Sequence, residues 1–96
     1  MKRVYISGKI TGEPMDQVIA KFAKAEYELG TKGYDPVNPL KNGLPQESAW
    51  EQHMRVDISL MMTCHAIYML PDWKFSSGAT IEKRLAEDLK FKFIES

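Results

Sequence analysis

Short runs of β-branched and aromatic residues alternate along this chain with longer stretches of helical periodicity, and that alternation is the strongest constraint on its fold. Residues Arg3 to Ser7 (Arg-Val-Tyr-Ile-Ser) read as a strand that stops at Gly8. From about Pro14 to Gly30, apolar side chains recur at Val18, Phe22, Ala25 and Leu29, which is helical spacing, and Gly30 and Gly33 close that helix. Tyr34 to Val37 form a brief second strand ended by Asn38-Pro39, and Leu40 to Glu47, rich in Pro, Gly and Asn, read as a loop. Trp50, Met54, Ile58 and Met61 trace one face of a second helix. His65 to Leu70 are apolar enough for a central strand. A turn of small residues, Ser76-Ser77-Gly78, then opens a third helix marked by Ala79, Leu85, Ala86 and Leu89, and Phe91 to Ile94 make the last strand.

The order β-α-β-α-β-α-β implies a parallel sheet joined by right-handed crossovers. The expected architecture is α/β, a three-layer flavodoxin-like fold with a four-stranded parallel sheet in the order 2-1-3-4, formed by a single domain over residues 1–96. Ligands of such sheets bind beyond the carboxyl ends of the strands, where the strand order reverses. That crevice falls between the strands ending at Ser7 and Leu70, which feed the two turns richest in small residues.

Composition narrows the functional classes. Thirteen basic and thirteen acidic side chains cancel, which argues against nucleic acid as a partner, because polyanion binding needs a basic excess. No segment reaches the roughly 20 apolar residues of a membrane span, no leader peptide is visible, and no membrane partner is expected. The single Cys64 has no partner for an intramolecular disulfide, so the expected location is the cytoplasm. His53 and His65 lack companions at ligand spacing, and neither a Walker loop nor a Gly-x-Gly-x-x-Gly is present, so no metal and no cofactor are expected.

Two carboxylates stand out. Glu82 lies three residues before Leu85, four before Ala86 and seven before Leu89, on the apolar stripe of its helix. An unpaired carboxylate there is costly and marks a function or a specific partner; the plain alternative is a helix-start Glu favoured by the dipole and turned to solvent. Asp57 follows Met54 by three residues and precedes Met61 by four, in the same predicament. Its alternative role is to brace a neighbouring backbone. Tyr5, mid-strand, is either core packing or part of the site. Ser77 is placed to cap the third helix. Trp50 and Trp73 are each large enough to stack on a ring, and Trp73 is favoured because its loop precedes the small-residue turn.

Tyr5 three residues before Gly8, Gly78 four residues before Glu82, and Asp57 25 positions before Glu82 together resemble the nucleoside 2-deoxyribosyltransferase superfamily. The short phage and bacterial proteins of that superfamily, near its deoxynucleoside 5′-monophosphate N-hydrolase branch, are the most similar. The resemblance spans nearly the whole chain on few anchoring residues. It implies an enzyme, a hydrolase or a transferase, that cleaves the N-glycosidic bond of a 2′-deoxynucleotide or deoxynucleoside through a deoxyribosyl-glutamate. Glu82 would then be the nucleophile, Asp57 the group that handles the departing base, and Tyr5 the hydroxyl that orients Glu82. Ser76, six residues before Glu82, matches a Ser that touches the 5′-phosphate in the hydrolase branch, where free-nucleoside transferases carry an Asp. A phosphate would be welcomed at the helix start formed by Ser76, Ser77 and Gly78, with Ser7, Gly8 and Lys9 supplying backbone donors and a cation from the opposite wall.

Enzymes of the superfamily complete each pocket from a neighbouring subunit. This chain ends soon after its fourth strand, so a homodimer or larger homo-oligomer is expected. A non-catalytic nucleotide-binding or sensor module on the same crevice is the competing function; it would be marked by loss of the Glu or the Asp, and both are present. A flavin-binding module is disfavoured by the scarcity of hydroxyl residues in the first turn.

Overall fold

The computed structural model describes residues 2–95. The elements run β1 (Arg3–Ser7), α1 (Met15–Thr31), β2 (Asp35–Val37), α2 (Trp50–Met61), β3 (Ala66–Met69), α3 (Ser77–Asp88) and β4 (Lys92–Phe93), with short 3-10 turns at Pro39–Lys41 and Trp73–Phe75. The four strands form one all-parallel sheet in the order β2-β1-β3-β4. Tyr5 pairs with Val37 on one side and Ile67 on the other, so β1 and β3 are the central strands. This is the flavodoxin-like architecture that the alternating periods demand. The strands are shorter than their apolar runs: His65, Leu70, Phe91 and Ile94 lie outside the ladder positions, although Ile94 still donates its N–H to the Ile67 carbonyl at 2.9 Å.

Because side chains alternate across a strand, β1 serves two different cores. Val4 and Ile6 pack with Val18, Phe22, Ala25 and Leu29 of α1 on one face. Tyr5 points to the other face, where it meets Val37, Met61, Cys64, Ile67 and Ala86 beneath α2 and α3. The stripe read from sequence on α1 is the buried one, although the helix runs past Gly30 to Thr31. On α3 the buried stripe is Gly78, Ala79, Glu82 and Ala86. Leu89 departs from the expectation: it is 52% exposed, because it caps the helix where the chain unwinds toward β4. Trp50, at 44% exposure, likewise sits at the edge of the α2 stripe rather than within it. Among the described residues, no helix is long and apolar enough to cross a membrane.

Candidate functional site

Beyond the carboxyl ends of β1 and β3, two glycines let backbone and helices close up. A Cβ on Gly8 would lie 2.6 Å from Leu70 Cδ1 and 2.9 Å from Leu70 Cβ, so only glycine lets β1 leave the sheet against the end of β3. A Cβ on Gly78 would meet Met54 Sδ at 3.0 Å, so the start of α3 packs closely on α2. The result is a cavity of about 550 Å³, within the size range of small-molecule sites. Tyr5, Gly8, Asp57, Ser76, Gly78 and Glu82 all line it.

Glu82 occupies the floor. It is 4% exposed, and each of its oxygens receives one hydroxyl: Tyr5 donates to Oε2 at 2.7 Å and Ser7 donates to Oε1 at 2.7 Å. Tyr5 and Ser7 are two residues apart on β1 and therefore on the same face, which is why both reach one carboxylate. Burial raises the Glu82 pKa from its ordinary 4.5 to about 7 against the two hydroxyl donors, with the nearby Asp57 charge adding to the rise. Tyr5 itself is pushed well above its ordinary value by burial and by the Glu82 charge, so it remains a donor. Ser7, expected to offer a backbone donor, does not line the cavity; its hydroxyl braces Glu82, a contact the sequence did not point to.

Asp57, on α2, is 5% exposed. Its Oδ1 accepts a 2.8 Å hydrogen bond from the Asn42 amide. Burial raises its pKa, while the Asn42 donor and His53 act in the opposite direction. Neither Asn42 nor His53 figured in the sequence reading of the site. His53 stands four residues before Asp57 and so shares its helix face, a spacing that could have drawn attention to it. Asn42 had no such signal, because its contact spans from a loop to a helix.

The turn before α3 corrects one expectation. Ser76, not Ser77, is the N-cap: its backbone is extended (φ −124°, ψ 119°) and its Oγ accepts the Ala79 N–H at 3.1 Å. Ser77 is already the first helical residue, is exposed, and does not line the cavity. Lys9 is also diverted. Its N–H donates to Asp72 Oδ1 at 3.1 Å, and its ammonium donates to the Thr11 carbonyl at 3.2 Å and lies 3.9 Å from Glu13. The Trp73 ring lies outside the cavity, with the Lys83 ammonium 4.9 Å from its centroid; Trp50 lines the cavity in its place. Among the described residues no Lys or Arg lines the cavity, whereas Glu13 does. No group of three His, Cys, Asp or Glu side chains among them is arranged to hold a metal ion.

Fold and site together define an α/β domain with a ligand-sized crevice at its topological switch, floored by a hydroxyl-braced carboxylate with a second buried carboxylate in the wall. The chain belongs to the family described as Domain of unknown function (DUF4406), whose model matches residues 2–95. No curated protein matches it in sequence.

Proposed function

We propose that the protein cleaves the N-glycosidic bond of a 2′-deoxynucleoside or deoxynucleotide, with Glu82 as nucleophile and Asp57 as acid to the leaving base. The observation that carries this reading is Glu82 itself: a buried carboxylate on the cavity floor, held at both oxygens by Tyr5 and Ser7. A carboxylate oxygen has two lone-pair positions, so each oxygen keeps one after accepting its hydroxyl. A pKa of about 7 leaves a substantial ionised fraction at neutral pH without the weak nucleophilicity of a strongly acidic group.

The steps follow the logic of a retaining glycosidase. A Glu82 oxygen bonds to C1′ as the C1′–N bond breaks, the bonding pair leaves with the base, and the Asp57 proton passes to the base nitrogen. Water then attacks C1′ and gives its proton to Asp57 as the ester bond returns its electrons to Glu82. If a second base attacks in place of water, the product is an exchanged nucleoside. Tyr5 and Ser7 offset the charge that Glu82 regains in the second step. A second copy of the chain closing the open side of the cavity is part of the same reading, as in the superfamily the sequence resembles.

For the 5′ end, Ser76 and the α3 start offer neutral donors: the Ser76 hydroxyl accepts from Ala79 and keeps its hydrogen to donate. The lack of a lining Lys or Arg among the described residues, with Glu13 in the wall, favours the free 5′-hydroxyl as the second reading. The test is to incubate the protein with deoxynucleosides and their monophosphates and to assay free base. Release by the wild type, and its loss by several orders of magnitude in a folded Glu82→Ala variant, is the expected result. A folded variant with wild-type turnover would remove Glu82 from the chemistry. A ligand that binds without any base release would favour the sensor reading.

A further inference from the structure

We infer that Asn42 is a positioning residue that sorts the two oxygens of Asp57, holding Oδ1 as an acceptor and leaving Oδ2 to carry the proton toward the cavity; the inference rests on the proposed role of Asp57 as the leaving-group acid. Asn42 closes the 3-10 turn at Pro39–Lys41 and its side chain reaches into the cavity wall. Its amide is oriented by the backbone, because Oδ1 accepts the Leu44 N–H at 3.0 Å. Nδ2 therefore faces Asp57 Oδ1 at 2.8 Å and His53 Nδ1 at 3.1 Å. An amide nitrogen carries two hydrogens and accepts nothing, so both contacts are donations.

That leaves one protonation pattern. His53 Nδ1 must be bare, and the ring hydrogen sits on Nε2, 3.3 Å from the Gln46 carbonyl oxygen. Asn42 and a loop carbonyl thus face the two ring nitrogens of His53, the donor–acceptor pattern of the Nε2–H tautomer. In a protonated carboxyl the carbonyl oxygen is the better acceptor, so the Asn42 donor assigns Oδ1 as carbonyl and Oδ2 as hydroxyl. Asp57 Oδ2 has no protein partner among the described residues, yet no buried side-chain oxygen there is left unpaired. Oδ2 therefore opens onto the cavity that Asp57 lines. The titratable groups facing Asp57 are His53 on its own helix, Glu82 from α3 and Tyr5 from β1, with Glu13 in the same cavity wall. None is a fixed cation, so Asn42 is the direct donor that orients this carboxyl.

Two variants separate positioning from loop structure. Asn42→Ala removes donor and acceptor together. Asn42→Asp keeps an acceptor for the Leu44 N–H, and so the turn, but sets an oxygen against Asp57. The first readout is a 13C titration of the Asp57 carboxyl by NMR without substrate. Asn42 favours the ionised carboxylate, so the titration should move to higher pH in both variants, further in Asn42→Asp, where two carboxyls share a proton. The second is kcat on a series of leaving bases: both variants should lose about tenfold to a hundredfold on poor leaving bases, less on activated ones, with KM little changed. An Asp57 titration unmoved in folded Asn42→Asp, or an equal rate loss for every base, overturns the inference. Absence of base release by the wild type would count against the glycosidic reading, and the NMR titration would still decide whether Asn42 governs Asp57.

Discussion

Replacing Glu82 by glutamine keeps the side chain's shape and removes its titration, and the consequence for stability follows from the site. The native Glu82 pKa is about 7 against an ordinary 4.5, so the folded state holds this proton more tightly than the unfolded chain. The stability from that preference is fully present below about pH 4.5 and is lost as pH rises through about 7. At about 1.36 kcal/mol per pKa unit, the wild type gives up roughly 3 kcal/mol across the window, a large share of the ~5–15 kcal/mol of a typical domain. The neutral amide of the Glu82→Gln variant carries no such penalty. Asp57, also raised by burial, titrates in both proteins, so its own burial contribution cancels in their difference and what remains is Glu82 together with its coupling to Asp57. Urea unfolding of both at intervals from pH 4.5 to 8.5 should show the Glu82→Gln variant gaining roughly 3 kcal/mol on the wild type. In melting temperature this exceeds ~10 °C for a domain of this size. A difference constant to within about 0.5 kcal/mol over the window would show that Glu82 is not held desolvated, and the reading of the site would fall with it. A cost of this kind at working pH is what a functional carboxylate imposes on its fold.

Ser76 separates capping from ligand charge. Ser76→Ala should lose about 1 kcal/mol of stability with the N-cap, whereas Ser76→Asp, itself a good N-cap, should hold its melting temperature. If a 5′-phosphate is bound at the α3 start, Ser76→Asp should reverse the ratio of kcat/KM on a monophosphate to that on its nucleoside, and an unchanged ratio would place the 5′ end elsewhere. Gly8→Ala drives a Cβ to 2.6 Å from Leu70 Cδ1 and should cost ~1–3 kcal/mol by urea unfolding; an unchanged midpoint would mean that the β1 exit has more room than its geometry shows.

Much of the fold was legible because it depends on local period. Val18, Phe22, Ala25 and Leu29 repeat every three or four residues and lie buried as a stripe, and the alternation of strands with helices admits few topologies besides the observed parallel sheet. The placement of Tyr5, Asp57 and Glu82 around one crevice follows from the same source, since each sits on an element whose buried face the pattern reveals. Their proposed roles are a separate matter, for base-release and titration experiments to decide.

What only the tertiary structure decided are the partners of those residues. Ser7 meets Glu82 across 75 positions of sequence, and Tyr5 meets it across 77. Asn42 reaches Asp57 from a loop with no period at all. Lys9 could have faced a ligand, but Asp72, Thr11 and Glu13 claim it; Trp73 could have lined the cavity, but Lys83 stands over its ring instead. Of two adjacent serines, the one still in extended backbone takes the cap. Hydrophobic period is a property of neighbouring residues, and a sequence displays it directly. A hydrogen bond between distant side chains is settled only when packed elements bring donor and acceptor within about 3 Å, and one turn of rotation in a loop hands either group to a different partner.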